Sequence, residues 1–542
     1  MRTCALLIPG VLIGVSALAQ EADLVVRNAR IWTGLPDKPW ANAITVRQGR
    51  IAALDAGDTA ATKVIDAGGR MITPGFIDSH VHFLEGGSRL TAVQLRDAAS
   101  KQEFIRRIAA FAKTVPEGAW IVGGDWNHEL WGGELPAKNW IDAATPKHPV
   151  WVKRLDGHMG LANSLALKMS GVGRTTKDIE GGAIVRNAAG EPEGVLKDNA
   201  ASLIERTIPP PAPTQKDKAL AAAMRYVASH GVTSIHHMGT WEDLEVFQRA
   251  AKSGDLSTRI YAAVPLSTWE RLRDYTSTHG RGDAWLRWGM LKGFVDGSLG
   301  SHTAAMQDPF TDAPGDRGFL VTPELKLEEW IRGADRAGLH VAVHAIGDRA
   351  NRTLLDIYGR VIEQNGPRDR RFRIEHAQHL RKEDIARFAE LQVIASMQPY
   401  HAIDDGCWAE KVIGPERAKG TYAFRSLSDS KARLAFGSDW FVAPPSVAEG
   451  IYAAVTRATL DDRHPGGWVP EQKIGWEDAL RAYTYGGAYA AFETDRKGTL
   501  APGMLADFVM LDGDPSKLAS HQLRSLRVTL TVVGGRVVYQ RP

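Results

Sequence analysis

The chain has 542 residues, 44% hydrophobic and 24% charged, too apolar for a disordered chain and too even in composition for a collagen, coiled coil or low-complexity protein. Lysine and arginine number 66 against 63 aspartate and glutamate, a net charge of +3, and no long basic run stands out, which argues against a nucleic-acid surface. At about 150 residues per domain the length suggests three or four domains, although an α/β barrel with insertions takes in about 400 residues as one unit. At the N-terminus, Arg2, an apolar stretch over 4–15 and Ala17-Leu18-Ala19 before Gln20 predict a cleaved leader over 1–19. The alternatives, a buried first strand or an uncleaved anchor, are disfavoured by an apolar run shorter than the ~20 residues a spanning helix needs. Cleavage removes Cys4 and leaves Cys407 as the sole cysteine, so no disulfide within one chain is expected. The expected product is exported, most simply periplasmic, with no membrane segment after leader removal.

From Asp23 onward, short alternating segments over 24–26, 29–32, 43–46 and 50–54 are punctuated by Asn42, Gly49 and Gly57 and read as strands. The C-terminal end repeats the pattern over 506–511, 528–533 and 536–539, with a Gly534-Gly535 turn. Each terminal set is too small for a core, so residues 20–70 and 498–542 are expected to pair into one β-sandwich. Between them, over 71–497, buried strands alternate with amphipathic helices. The candidate strands are 71–80, 232–238, 259–264, 290–296, 340–346, 372–376, 393–397 and 434–439, with helices such as 325–337, 350–364 and 382–391 between the later ones. Parallel βαβ units in that number close as a (β/α)8 TIM barrel.

Polar residues interrupt these apolar strands at their C-terminal ends, where barrel active sites are built. His80 and His82 leave the first strand on one face; Lys292 lies in the fourth, His344 in the fifth, His376 ends the sixth and Asp439 ends the eighth. A barrel unit of about 31 residues separates His344 from His376, and two separate His376 from Asp439. The stretch from His82 to Lys292 exceeds three units by roughly 100 residues, which places a large insertion after strand one, approximately 85–213, ending in the proline run over 209–213. Singly each residue has a bland reading: core histidine, a Lys292–Asp296 pair, a helix cap at Asp439. Together, at unit spacing, they read as a shell of imidazoles and carboxylates for zinc or a similar ion. A lysine ammonium is repelled by a metal, but as the carbamate formed with CO2 Lys292 becomes a bridging carboxylate between two ions.

The segments Thr73-Pro74-Gly75-Phe76-Ile77-Asp78-Ser79-His80-Val81-His82, Gly123-Gly124-Asp125-Trp126, Arg154-Leu155-Asp156-Gly157-His158 with Asn163-Ser164, Lys292 to Gly300, His344-Ala345-Ile346-Gly347-Asp348, Ile374-Glu375-His376 and Gly437-Ser438-Asp439 closely resemble the amidohydrolase superfamily. Within it they resemble the family-3 branch of N-substituted formamide deformylase and YtcJ-like metal-dependent hydrolases, over about residues 22–541. The resemblance implies a β-sandwich plus a metal-bearing barrel, with His80 and His82 on one metal, His344 and His376 on the other, and carboxylated Lys292 between them. It makes Asp439 a ligand of the first metal and the proton shuttle; a mononuclear site is the form expected if Lys292 stays unmodified.

The same resemblance places Asp156-Gly157-His158 over the barrel mouth, with His158 a catalytic or substrate-carbonyl donor. Trp126, His237, His302 and Arg317 are further candidates for substrate contact. The leading expectation is a hydrolase of small-molecule C–N bonds, amide or formamide, using two divalent ions, with zinc the expected metal. An esterase, lactonase or carbamate hydrolase would need the same ligands, and a non-catalytic exported barrel that binds metal or ligand is the reading from another class. The partners expected are a small-molecule substrate, with a homodimer compatible, and neither nucleic acid nor membrane.

Overall fold

A computed structural model describes residues 21–542; the leader expected over 1–19 lies outside them. Eight strands form one parallel sheet: β1 (Phe76–Val81), β2 (Val232–Met238), β3 (Arg259–Pro265), β4 (Leu286–Phe294), β5 (His340–Ala345), β6 (Arg373–His376), β7 (Ile394–Met397) and β8 (Arg433–Phe436). The first seven ladders follow chain order from β1 to β8. The ring closes just past β8, where Val81 bridges Trp440, His82 N–H donates to Trp440 O at 2.7 Å and Asp439 N–H donates to His80 O at 2.7 Å. Strands buried on both faces need continuous apolar runs, and β2, β5, β6 and β7 are buried at every position. Amphipathic helices cover the outside. Glu324–Arg336 buries Leu327, Ile331 and Ala334 at i, i+4 and i+7, the stripe a barrel-facing helix requires.

The segment read as one first strand over 71–80 is two. Met71–Pro74 pairs with Arg30–Trp32 and Phe508–Leu511 in a six-stranded sheet, and only Phe76–Val81 enters the barrel. Gly75 makes the crossing. A Cβ there would overlap the Thr233 side chain of β2, so the chain passes from sheet to barrel at a position with room for glycine alone. The six-stranded sheet faces a four-stranded one made of Ala22–Arg27, Ile44–Arg47, Arg50–Leu54 and Ala61–Asp66. Leu24, Val46, Ile72, Phe508 and Val532 fill the space between. The sandwich is fastened to the barrel by a buried two-pronged pair, Arg259 Nε to Asp507 Oδ2 at 2.6 Å and Nη2 to Oδ1 at 2.9 Å.

The insertion after β1 folds as a six-stranded mixed sheet, in order Gly182–Arg186, Pro192–Asp198, Met159–Ala162, Val150–Arg154, Ile121–Trp126 and Val93–Gln94. It has its own apolar core, with Phe104, Ile108, Trp126, Val152 and Leu161 at its centre. The chain rejoins the barrel through the helix Pro213–Ser229, whose first residue is the last proline of the run. Proline fits there because the first-turn N–H has no helical partner to lose.

Candidate metal centre

The cluster sits at the C-terminal mouth of the barrel. The backbone carries His376 and Asp439 there in the left-handed region, φ 75° and 59°, a conformation that costs a non-glycine residue about 1–3 kcal/mol and concentrates at functional sites. His80, His376 and Asp439 offer ligand atoms within 4.8 Å of one another. Asp439 Oδ1 lies 3.5 Å from His80 Nε2 and 3.3 Å from His82 Nε2, yet it is buried with no hydrogen-bond partner. Lys292 Nζ stands 3.3 Å from the same His80 Nε2, and the rings of His344 and His376 are 4.5 Å apart. All six residues expected from the sequence therefore converge.

The outer nitrogen of each of three imidazoles is already used. His80 Nδ1–H donates to Glu375 Oε2 at 2.5 Å, His344 Nε2–H to Gly297 O at 2.9 Å and His376 Nδ1–H to Gln398 Oε1 at 2.9 Å. Each bond fixes the tautomer and leaves a lone pair on the other nitrogen, the arrangement that orients metal-ligating histidines. Burial keeps these rings neutral: it lowers His80 to about 4 and takes His344 and His376 well below the ordinary histidine range. Burial also lowers Lys292 to about 8, so a share of the amine is neutral near physiological pH. For Asp439 burial works upward, but the His80 and His82 imidazoles outweigh it and hold the carboxyl well below the carboxylate range. Neutral imidazoles, an ionised carboxylate and an orphaned oxygen among them form a donor set that fits a divalent cation.

Behind His80, Glu375 is itself gripped by Arg373, Nε to Oε1 at 2.7 Å and Nη2 to Oε2 at 3.0 Å. The bland pairings do not occur. Asp296, rather than binding Lys292, accepts from three backbone N–H groups, and the next helix after Asp439 is capped by Ser446.

Above the cluster is a cavity of about 290 Å³ lined by His82, Lys292, His344, His376 and Asp439 from the barrel and by Lys153, Arg154, Asp156, His158 and Asp198 from the insertion. His158 is the one candidate substrate contact placed in this wall, its Nδ1–H donating to Asp198 Oδ1 at 2.7 Å. Burial opposes its protonation, but the Asp198 hydrogen bond outweighs burial and raises it above the ordinary value. The other four lie elsewhere. Trp126 is wholly buried in the insertion core with Nε1–H donating to Val152 O at 2.8 Å. His237 accepts the Phe83 N–H at 3.1 Å and pairs with Asp243 at 3.2 Å, so it holds the chain just after His82. His302 pairs with Asp312 at 3.0 Å, and Arg317 is exposed with a bond to Gln307 O. Residue type alone does not say which wall a side chain faces. Replacing Trp126 by alanine is expected to cost about 3–5 kcal/mol of stability through cavity formation, read by urea denaturation, with the KM of the folded fraction unchanged.

Sequence reading passed over Asp198, His401, Asp405 and Trp408, which also line the cavity, and the Arg373–Glu375 pair. Glu375 carried a signal, since it directly precedes His376. His401 and Asp405 lie on the short helix Pro399–Asp405 with Trp408 just beyond it, Asp198 ends an insertion strand and Arg373 lies in β6, and no spacing in the sequence marks these positions as belonging to the cavity.

A (β/α)8 barrel with a nitrogen-and-carboxylate cluster at its mouth defines the class, a metal-site barrel of the hydrolase type. A family model described as "Amidohydrolase family" matches residues 63–539, and the chain belongs to that family. It is 40% identical to Protein LONG AFTER FAR-RED 3 of Arabidopsis thaliana, covering 96% of this chain and 92% of the relative. It is 27% identical to N-substituted formamide deformylase of Arthrobacter pascens, covering 97% and 99%. A solved structure of an uncharacterized metal-dependent hydrolase from Pyrococcus horikoshii OT3 superposes with a TM-score of 0.75 at 27% identity, covering 92% of this chain and 99% of that one.

Proposed function

We propose that the chain hydrolyses a C–N bond, amide or formamide, of a small molecule at the barrel mouth. The observation that carries this reading is the unpartnered Asp439 Oδ1 among His80, His82 and Lys292 beneath a cavity of about 290 Å³. His80 and His82 would hold one divalent ion, zinc by donor type, and His344 and His376 a second, with Asp439 on the first and the Lys292 carbamate between them. Such ions supply a nucleophile from water near neutral pH and polarise the scissile carbonyl. The carbamate forms when the neutral Lys292 amine bonds to the carbon of CO2 and releases one proton.

The protein's own part is positioning and proton transfer. Asp439, buried at the cavity floor and 7% exposed, accepts the proton of the attacking water at its carboxylate and delivers it to the departing nitrogen. His158 hydrogen-bonds the substrate from the insertion side, and the insertion wall limits entry of bulk water. The choice of a C–N bond draws on the deformylase relative, since the donor set itself serves esters equally. Export ahead of Gln20 belongs to the same proposal and is read by N-terminal sequencing of the mature protein.

The test is a panel pairing amide, formamide and ester forms of one scaffold, run on protein purified without chelator, with metal content measured by elemental mass spectrometry. Close to two equivalents of metal and turnover of amide or formamide are expected; an ester-only result overturns the C–N assignment. In parallel, ¹³C-bicarbonate is expected to give a carbamate resonance that disappears in Lys292→Ala. Its absence from the metal-loaded wild type would leave a site without the lysine bridge.

A further inference from the structure

Two buried aspartates beside the cluster are used differently. Asp296, just past β4, accepts the N–H groups of Ile346 at 3.0 Å, Gly347 at 2.8 Å and Ala305 at 2.8 Å. Its carboxylate is committed to backbone. Asp198 has one oxygen on His158 Nδ1 at 2.7 Å, while its Oδ2 is buried without a hydrogen-bond partner among the described residues. A buried carboxylate oxygen left unpaired is costly to keep, so a merely structural aspartate is a poor account of it.

The register of the insertion sheet explains how the two residues meet. Met159 pairs with Lys197 across antiparallel strands, and the next positions outward are His158 and Asp198, joined by Asp198 N–H donating to His158 O at 2.8 Å. At Asp198 the backbone turns to φ 45°, ψ −125°, a region that non-glycine residues avoid and that recurs where a side chain is held for function. The His158 ring then lies 5.0 Å from that of His344 and 6.5 Å from that of Phe294. With Nδ1 engaged, Nε2 forms no hydrogen bond among the described residues, and His158 and Asp198 both line the cavity.

We propose that Asp198 is a positioning residue acting through His158: it holds the Nδ1–H tautomer, fixes the ring beside His344 and leaves Nε2 as the nitrogen offered to substrate. A free imidazole exchanges between two tautomers and two ring orientations; a carboxylate on Nδ1 selects one of each. The insertion, which contributes none of the six proposed metal-site residues, thereby contributes an oriented hydrogen-bonding group. The inference rests on the hydrolase reading for its kinetic consequence only, since the tautomer exists without substrate.

The test is a double-mutant cycle with a spectroscopic arm. Asp198→Ala is expected to lower kcat about 10²-fold, within the range for a positioned acid–base group, with metal content retained. His158→Ala should lower it comparably, and the double variant no further, because both changes remove one device. Asp198→Glu should recover part of the loss. Independently, ¹⁵N-histidine spectra of the full chain, taken at a pH high enough for the His158 ring to be neutral and with its signal identified by its loss in His158→Gln, should show the Nδ1–H form in wild type and a mixture in Asp198→Ala. If Asp198→Ala folds poorly, Asp198→Asn, equal in shape but uncharged and able to present its NH2 as well as its oxygen to Nδ1, so that it no longer selects one tautomer, enters the same cycle. Additive losses in kcat, or an unchanged His158 tautomer, would overturn the proposal. A protein that hydrolyses nothing in the panel yet loses the tautomer in Asp198→Ala would refute the hydrolase reading and leave the positioning role standing.

Discussion

Asp439→Asn is expected to reduce kcat/KM for the preferred amide by about 10²–10⁴-fold, the contribution of a positioned general base and acid, with metal content close to wild type. The amide side chain keeps the shape of the carboxylate and one oxygen with lone pairs, so it can still act as a donor, but it cannot carry a proton from water to the leaving nitrogen. Local structure should survive the change, because the Asp439 backbone is fastened independently through its N–H to His80 O at 2.7 Å. The pairing of measurements is what gives the experiment its force. Loss of turnover with metal retained assigns proton transfer to Asp439. Loss of both would make it a ligand without a separable proton role, and retention of turnover would remove it from the mechanism. A binding protein without catalysis predicts no wild-type turnover to lose.

The barrel was legible because its strands are short apolar runs between amphipathic helices, and His80, Lys292, His344, His376 and Asp439 were legible because a polar residue late in such a run is expensive unless it has a purpose. The division of the first strand at Gly75 was not. Met71–Pro74 and Phe76–Val81 are equally buried, and hydrophobicity does not record which of two sheets does the burying. Trp126 and His237 were candidates by residue type, yet each finds its polar partner within the fold, Val152 O and Asp243 respectively. Asp198 shows the reverse limit. Its significance comes from strand register and an unpaired oxygen, both products of tertiary structure, and nothing in its sequence neighbourhood distinguishes it from a solvated aspartate.

Arg373→Met is expected to destabilise the protein by about 3–5 kcal/mol, the cost of leaving a buried charge without its partner. Arg373 and Glu375 are both fully buried, and the guanidinium also donates to Ser79 O at 2.6 Å and Ser396 Oγ at 3.0 Å. In the wild type burial pushes the Glu375 carboxyl upward, but Arg373, followed by the His80 hydrogen bond, outweighs burial and holds it well below its usual value of 4.5. A depressed carboxyl contributes stability that is fully present above the unfolded-state value and lost as pH falls through the folded one. Without the guanidinium, burial acts with less opposition and the carboxyl rises, so the ionised form becomes the liability and the variant loses stability as pH increases. The gap between wild type and variant should therefore be widest near pH 7 and narrow toward pH 4, read as the difference in urea midpoint across that range. A gap independent of pH would mean that the loss is one of packing and that the Glu375 charge is held by His80 instead. The same variant should weaken metal retention, because Glu375 is what orients the His80 ring at 2.5 Å, and partners of this kind are worth about 10- to 100-fold in metal affinity.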